Sequence, residues 1–349
     1  MNDINRRHLI GGLASTALAG LTTSVVAKNN NLKLLLNTSF SGPVAFFLLA
    51  QDKGYYRKEG LNMKFSPGGG AAAIVPRVRH GDFDAGYGDI TALIERIARS
   101  PKDKGPVAVF TTFNAVPFTI AVAADGPIKT PKDLEGRIVS GHGSDAALIT
   151  FDMFAKATGI DASKVQVKRS GGGMGQQVVD VLNGKNAHGV FGFVQTIIAT
   201  TASYGVKPKD IRFLEYADYI PDMYGNTLFV TRETYETRTS EIAGLVRATN
   251  QGLSDTVLNT EEAMDALGRR VGNSRRSINE TRLIGTLRTE MAHPEGARIG
   301  IGEMDDDRLE RLIRLIVKTK NLPRTPSVRE VFDRRFLPPL SERVVSLGQ

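Results

Sequence analysis

The sequence contains no cysteine. Disulfides, thiolate metal sites and a cysteine nucleophile are therefore excluded, and there is no cysteine to carry a lipid anchor. Tryptophan is also missing, so any aromatic stacking falls to Phe, Tyr or His. The five histidines are His8, His80, His142, His188 and His293. No two of them stand at metal-ligand spacing, and no H-E-x-x-H pair occurs. No G-x-S-x-G elbow or Gly-Lys-Ser/Thr phosphate loop occurs either. No segment approaches ~18 uninterrupted apolar residues, so the mature chain is not expected to span a membrane. The formal charge is +8, but its 45 basic residues are interspersed with 37 acidic ones. Without a basic run carrying interleaved aromatics, nucleic acid is not an expected partner. A mild positive field of this kind favours a small anion.

Residues 1–27 have the composition of an export segment. Arg6-Arg7 precedes a weakly apolar stretch rich in Gly, Ala and Thr, and small residues close it before Lys28. The paired arginines resemble a twin-arginine signal. The expected location is the periplasm, with the signal removed.

Beyond that segment, short apolar strand patterns alternate with helical ones. Strands are expected near residues 32–36, 61–65, 83–87 and 107–111, and again near 137–140, 165–168, 187–191 and 211–214. The alternation predicts an α/β protein of two lobes, each a mainly parallel sheet flanked by helices. Two apolar extended segments, 116–124 and 227–231, stand where one unit stops and the next begins, and are read as hinge strands. Lobe one is then 28–115 plus 226–349, and lobe two 116–225. An internal echo supports this division: Gly68-Gly69-Gly70 precedes Gly81 by the spacing that separates Gly171-Gly172-Gly173 from Gly184. The last third of the chain reads as helices near 240–258, 261–270, 277–290 and 305–319. A ligand cleft between such lobes belongs at the carboxyl ends of the strands.

The candidate ligand residues cluster at those strand ends. Each glycine triplet opens a helix, and Gly69, Gly70, Gly172 and Gly173 either present backbone N–H groups to an anion or simply make a tight turn. Ser39, Phe40 and Ser41 form the first loop, offering hydroxyls and a stacking face. His142 and Ser144 sit at another Gly-x-Gly helix start, where Ser144 or Asp145 also suits the N-cap. Asp89 ends a strand as either N-cap or ligand acceptor. Phe113, Asn114, Phe193, Tyr219 and Tyr224 fall at the remaining cleft edges. Carboxylates further along the chain lie on polar helix faces, where solvated charge is the expectation. No catalytic residue, metal or cofactor is called for.

Several segments resemble a known superfamily. Gly54-Tyr55-Tyr56-Arg57-Lys58-Glu59-Gly60-Leu61 is similar to a segment of the periplasmic substrate-binding proteins of ABC importers for sulfonates, nitrate and thiamine-pyrimidine precursors. Val78-Arg79-His80-Gly81-Asp82-Phe83-Asp84 and Ile128-Lys129-Thr130-Pro131-Lys132-Asp133-Leu134-Glu135-Gly136 resemble further segments of it. Tyr224-Gly225-Asn226 resembles the return crossing of the pyrimidine-precursor branch. The resemblance implies the type II periplasmic-binding-protein fold and a small-molecule ligand held between closing lobes. It also implies an ABC permease as partner and a monomeric, non-enzymatic chain. One branch contains a pyridoxal-phosphate enzyme that makes the thiamine pyrimidine; its Trp and His are missing from residues 37–42 here. That enzyme and a periplasmic sensor subunit are the alternatives.

Overall fold

The computed structural model describes residues 30–343, apart from 79–80 and 103. The expected export segment and the Arg79-His80 part of the quoted motif lie outside the described residues.

Ten strands build the chain: β1 (Asn31–Leu35), β2 (Asn62–Ser66), β3 (Ala85–Asp89), β4 (Val107–Thr111), β5 (Phe118–Ala123), β6 (Ile138–Gly141), β7 (Gln166–Arg169), β8 (Gly189–Phe193), β9 (Ile211–Glu215) and β10 (Asn226–Val230). They form two five-stranded sheets, ordered β2-β1-β3-β10-β4 and β7-β6-β8-β5-β9. The first holds β1 parallel to β2 and β3, with β10 antiparallel to β3 and β4. The second repeats the plan, with β6 parallel to β7 and β8, and β5 antiparallel to β8 and β9. The two segments read as hinge strands are thus β5 and β10, each the single antiparallel strand inside a mixed sheet. The chain passes between the sheets in residues 112–117 and 216–225.

The strand sequences explain these places. Every residue of β3, β4 and β10 is buried, as strands covered on both faces require. Every residue of β7 is exposed, and its Lys168 and Arg169 charge an open sheet edge. Helix Ile90–Ala98 buries Ile90, Leu93, Ile94 and Ile97, the i, i+3, i+4, i+7 stripe of an amphipathic helix on a sheet.

Three helical runs are interrupted, one of them an expected helix. The pattern at residues 44–58 divides into helices Ala45–Asp52 and Tyr55–Lys58. The one at 144–158 divides at Thr150. The one at 277–290 ends as Arg276–Thr286 and continues in a π-helical turn, Leu287–Met291. The echo in sequence is an echo in structure: β2, a glycine triplet and a helical segment match β7, a glycine triplet and helix Met174–Leu182.

The lobes share a core. Leu309, Ile313 and Ile316 of helix Asp306–Lys320 join one buried cluster with Leu93 and Ile97 of the first lobe and Phe154 of the second. At that helix's end, Lys320 Nζ lies 3.5 Å from Glu95 and 3.1 Å from Asp152, and donates to the Ile149 carbonyl at 3.3 Å. The helix is a strap across both lobes.

Candidate functional site

A cavity of about 340 Å³ lies between the lobes. Its walls come from the carboxyl ends of the strands. Asn37, Thr38 and Ser39 follow β1, and Gly68, Gly69 and Gly70 follow β2. His142, Ser144 and Asp145 follow β6, Met174 follows β7, and Phe193, Gln195 and Thr196 end β8 and open the next helix. Phe113, in the first crossing, lines it as well. The last wall is helix Arg276–Thr286 with its π-helical extension, which contributes Arg282, Thr286 and Glu290. These three stand at i, i+4 and i+8, one face of a helix. A π-turn at the end of that face is a common device at functional sites.

The lobes touch beside the cavity in two places. Ser144 Oγ donates to the Gly69 carbonyl. Gln195 Nε2 donates to Thr289 Oγ1 at 3.4 Å. The first triplet is held there because Gly68 and Gly70 donate their N–H groups to the carbonyls of Thr38 and Asn37 at 3.0 and 2.9 Å. His142 Nδ1 lies 3.1 Å from Ser144 Oγ. Since the Ser144 proton is given to Gly69, the imidazole is the donor in that contact, opposite to the direction that activates a serine nucleophile.

The charges in the wall are unevenly served. Arg282 is half-buried, and its Nε has no hydrogen-bond partner among the described residues. Burial lowers its pKa to about 10, with Glu290 pulling it back up. Glu290 is 3% exposed, and its Oε2 also lacks a partner among the described residues. Burial pushes its carboxyl up to about 7, against the smaller opposing effect of the neighbouring Thr289 and Thr286 hydroxyls. Asn37, 5% exposed, likewise leaves Oδ1 unpaired. Asp145 is pushed up to about 6 by burial, although it accepts the Ala147 N–H at 2.8 Å as a helix cap. Three polar groups with an atom left unpartnered among the described residues thus face one cavity.

Seven of the fifteen candidates line this cavity: Ser39, Gly69, Gly70, Phe113, His142, Ser144 and Phe193. The other eight lie elsewhere. Phe40 packs against the first lobe's core, and Ser41 is buried at the start of a short 3-10 turn. Asp89 caps helix Ile90–Ala98 by accepting from Ala92 at 3.1 Å, and burial pushes its carboxyl up to about 7. Gly172 and Gly173 are exposed, and the Gly172 carbonyl accepts from Gln177. Tyr219 is 41% exposed with its edge on Phe154.

Asn114 and Tyr224 belong to a buried cluster that ties the two crossings together. Asn114 Nδ2 and Tyr224 OH donate to Glu295 Oε1 at 3.0 and 2.6 Å. Arg308 pairs with Glu295 at 3.1 Å and donates to the carbonyls of Asn114 and Met223 at 2.7 and 2.8 Å. Arg282, Thr286, Glu290, Gln195, Thr196, Met174 and Asn37 were not singled out in the sequence. A charged stripe on a predicted helix reads as solvated unless something shows what covers it.

The solved structures define the class first. The fold is that of the periplasmic binding proteins. The periplasmic aliphatic sulphonate binding protein SsuA of Escherichia coli is 14% identical, with a TM-score of 0.64 over 87% of this chain and 97% of that one. The alkanesulfonate-binding protein SsuA of Xanthomonas axonopodis pv. citri, bound to MOPS, is 12% identical, with a TM-score of 0.63 over 88% and 99%. The desulfurization enzyme DSZB shares the fold at 12% identity, with a TM-score of 0.54 over 87% and 97%. No curated protein matches the sequence. The model of the NMT1/THI5-like family matches residues 42–263, well over half of the chain, and the protein belongs to that family.

Proposed function

We propose that this chain is an exported, periplasmic solute-binding protein of an ABC import system, taking a small organic anion into the interlobe cavity without chemical change. The observation that carries the reading is Arg282, a guanidinium in the wall of the interlobe cavity whose Nε lacks a partner among the described residues. A half-buried guanidinium with an unserved N–H is partly desolvated, and a bound carboxylate, sulfonate or phosphate offsets that cost. The net charge of +8 draws anions towards the protein. The relatives named for sulfonates share the fold. We further propose that residues 28–115 and 226–349 move against 116–225, bending in the two crossings, and that the chain acts as a monomer handing its solute to a permease.

The competing enzymatic reading draws on DSZB, which puts chemistry on the same fold. A pyridoxal-phosphate enzyme needs a lysine for its Schiff base, and none lines the cavity among the described residues. Thermal denaturation against a panel of sulfonates, carboxylates and pyrimidine phosphates tests the proposal. The midpoint should climb with the logarithm of ligand concentration for at least one class, and the compound should be recovered intact. A flat response to the whole panel, or conversion of the compound, contradicts it.

A further inference from the structure

Resting on that reading, we infer that the solute is an organic anion that also carries an N–H donor, an amino or ammonium group, with Arg282 seating the acid and Glu290 seating the donor. The argument starts from the helical stripe. Arg282 and Glu290 are two turns apart on one wall, so their backbones are separated by about 12 Å at 1.5 Å per residue. Both line the cavity, yet no ion pair within 4.0 Å joins them among the described residues. Each keeps an unpartnered polar atom, Nε on one and Oε2 on the other, and the carboxylate is almost wholly buried.

A plain anion serves only half of this wall. It satisfies Arg282 but leaves Glu290 Oε2 without a donor, and wherever Glu290 is ionised it adds a second negative charge to the same desolvated space. A solute with a donor at its other end serves both groups. The N–H donates to Glu290 Oε2, and an ammonium also compensates its charge. Asn37, in the loop after β1, adds to the cavity wall an amide oxygen without a partner among the described residues. It suits the same kind of donor and does nothing for an oxyanion. Burial pushes the Glu290 carboxyl up to about 7, and a donor bound at Oε2 favours the ionised, accepting form against that burial. Binding energy of this type discriminates strongly, because a solute lacking the donor leaves a buried acceptor unpaired.

The test is calorimetric titration with matched pairs: 2-aminoethanesulfonate against ethanesulfonate, 3-aminopropanoate against propanoate, and 4-aminobenzoate against benzoate. In the wild-type protein the aminated member of at least one pair should bind at least tenfold more tightly. Glu290→Gln, checked for folding by circular dichroism, should shrink that ratio to about threefold or less by weakening the aminated member alone. Equal binding of both members of every pair in the wild type overturns this inference while leaving the proposed function standing. So does a ratio that Glu290→Gln leaves intact. The wild-type comparison decides the matter even if the variant fails to fold. Silence across the whole panel overturns both proposals together.

Discussion

Ser144 Oγ, at a helix start in the second lobe, donates its hydrogen bond to the Gly69 carbonyl of the first, so at this point beside the cavity one side chain meets one bare peptide. The neighbouring Gly70 makes this approach possible. Its φ is +125°, and a Cβ added there would lie 2.4 Å from Ser144 Oγ and 2.6 Å from the Ser144 carbonyl. A side chain at this position is opposed both by its own backbone and by the facing lobe.

Gly70→Ala should therefore weaken closure more than it weakens the fold. Solute affinity is expected to drop by about tenfold or more, and small-angle scattering with saturating solute should retain the larger radius of the open form. Unchanged affinity would show that the Gly69–Ser144 contact is not part of the closed state.

Tyr224 and Asn114 separate from the cavity residues in a testable way. Tyr224→Phe removes the donor to Glu295 and the acceptor for the Asp305 N–H, 2.6 and 2.9 Å long. A lost buried hydrogen bond to a charged group costs about 1–3 kcal/mol. Denaturant melts should show that loss, while affinity for the solute stays within about twofold. A large affinity loss with unchanged stability would place Tyr224 in the binding site after all.

The strap helix supplies a third expectation. Lys320 reaches Glu95 in one lobe and Asp152 in the other, and its own side chain is only 11% exposed. Because Asp152 is 44% exposed, the pairing is discounted for solvent, and Lys320→Met should cost about 1 kcal/mol. The melting temperature should fall by a few degrees, with the loss shrinking in high salt. An unaltered melt would mean that packing alone holds the strap.

Glu290 makes stability depend on pH. Its folded-state pKa is raised from 4.5 to about 7 by burial. Between those values the folded chain keeps a proton that the unfolded chain has lost. The stabilisation is complete below about 4.5 and is lost as pH rises through about 7. Asp89 and Asp145 act in the same sense, with values near 7 and 6. His293, depressed by burial, acts in the opposite sense. The difference between variant and wild type isolates the one group. Relative to wild type, Glu290→Gln should gain on the order of 3 kcal/mol between pH 4.5 and 7, at about 1.4 kcal/mol per unit. A difference independent of pH contradicts the burial of this carboxyl.

Much of this architecture was legible in the sequence because it is local. Strand, glycine turn and helix recur with their punctuation, and Asp89 sits where a strand hands over to a capped helix. Residues 116–124 and 227–231 read as extended, but whether they bridge lobes or pair inside a sheet is decided by partners 69 to 145 residues away. The triplets illustrate the same limit. Gly68-Gly69-Gly70 is drawn to the cavity by hydrogen bonds to Asn37 and Thr38, whereas Gly171-Gly172-Gly173 makes no matching bonds to the loop after β6 among the described residues and stays exposed. Arg282 and Glu290 look like ordinary surface charges on a polar helix. Only the return of helix Arg276–Thr286 onto helix Val194–Ala202, with Gly285 close against Gln195, turns that face inward.

The central claim, an anion seated on Arg282 between the lobes, is tested most directly by titrating small organic anions into the wild-type protein and the Arg282→Met variant by calorimetry. The account predicts saturable one-to-one binding to the wild type for at least one anion, and a loss of at least a hundredfold in a variant that melts no earlier. Binding that survives the substitution undiminished would contradict it.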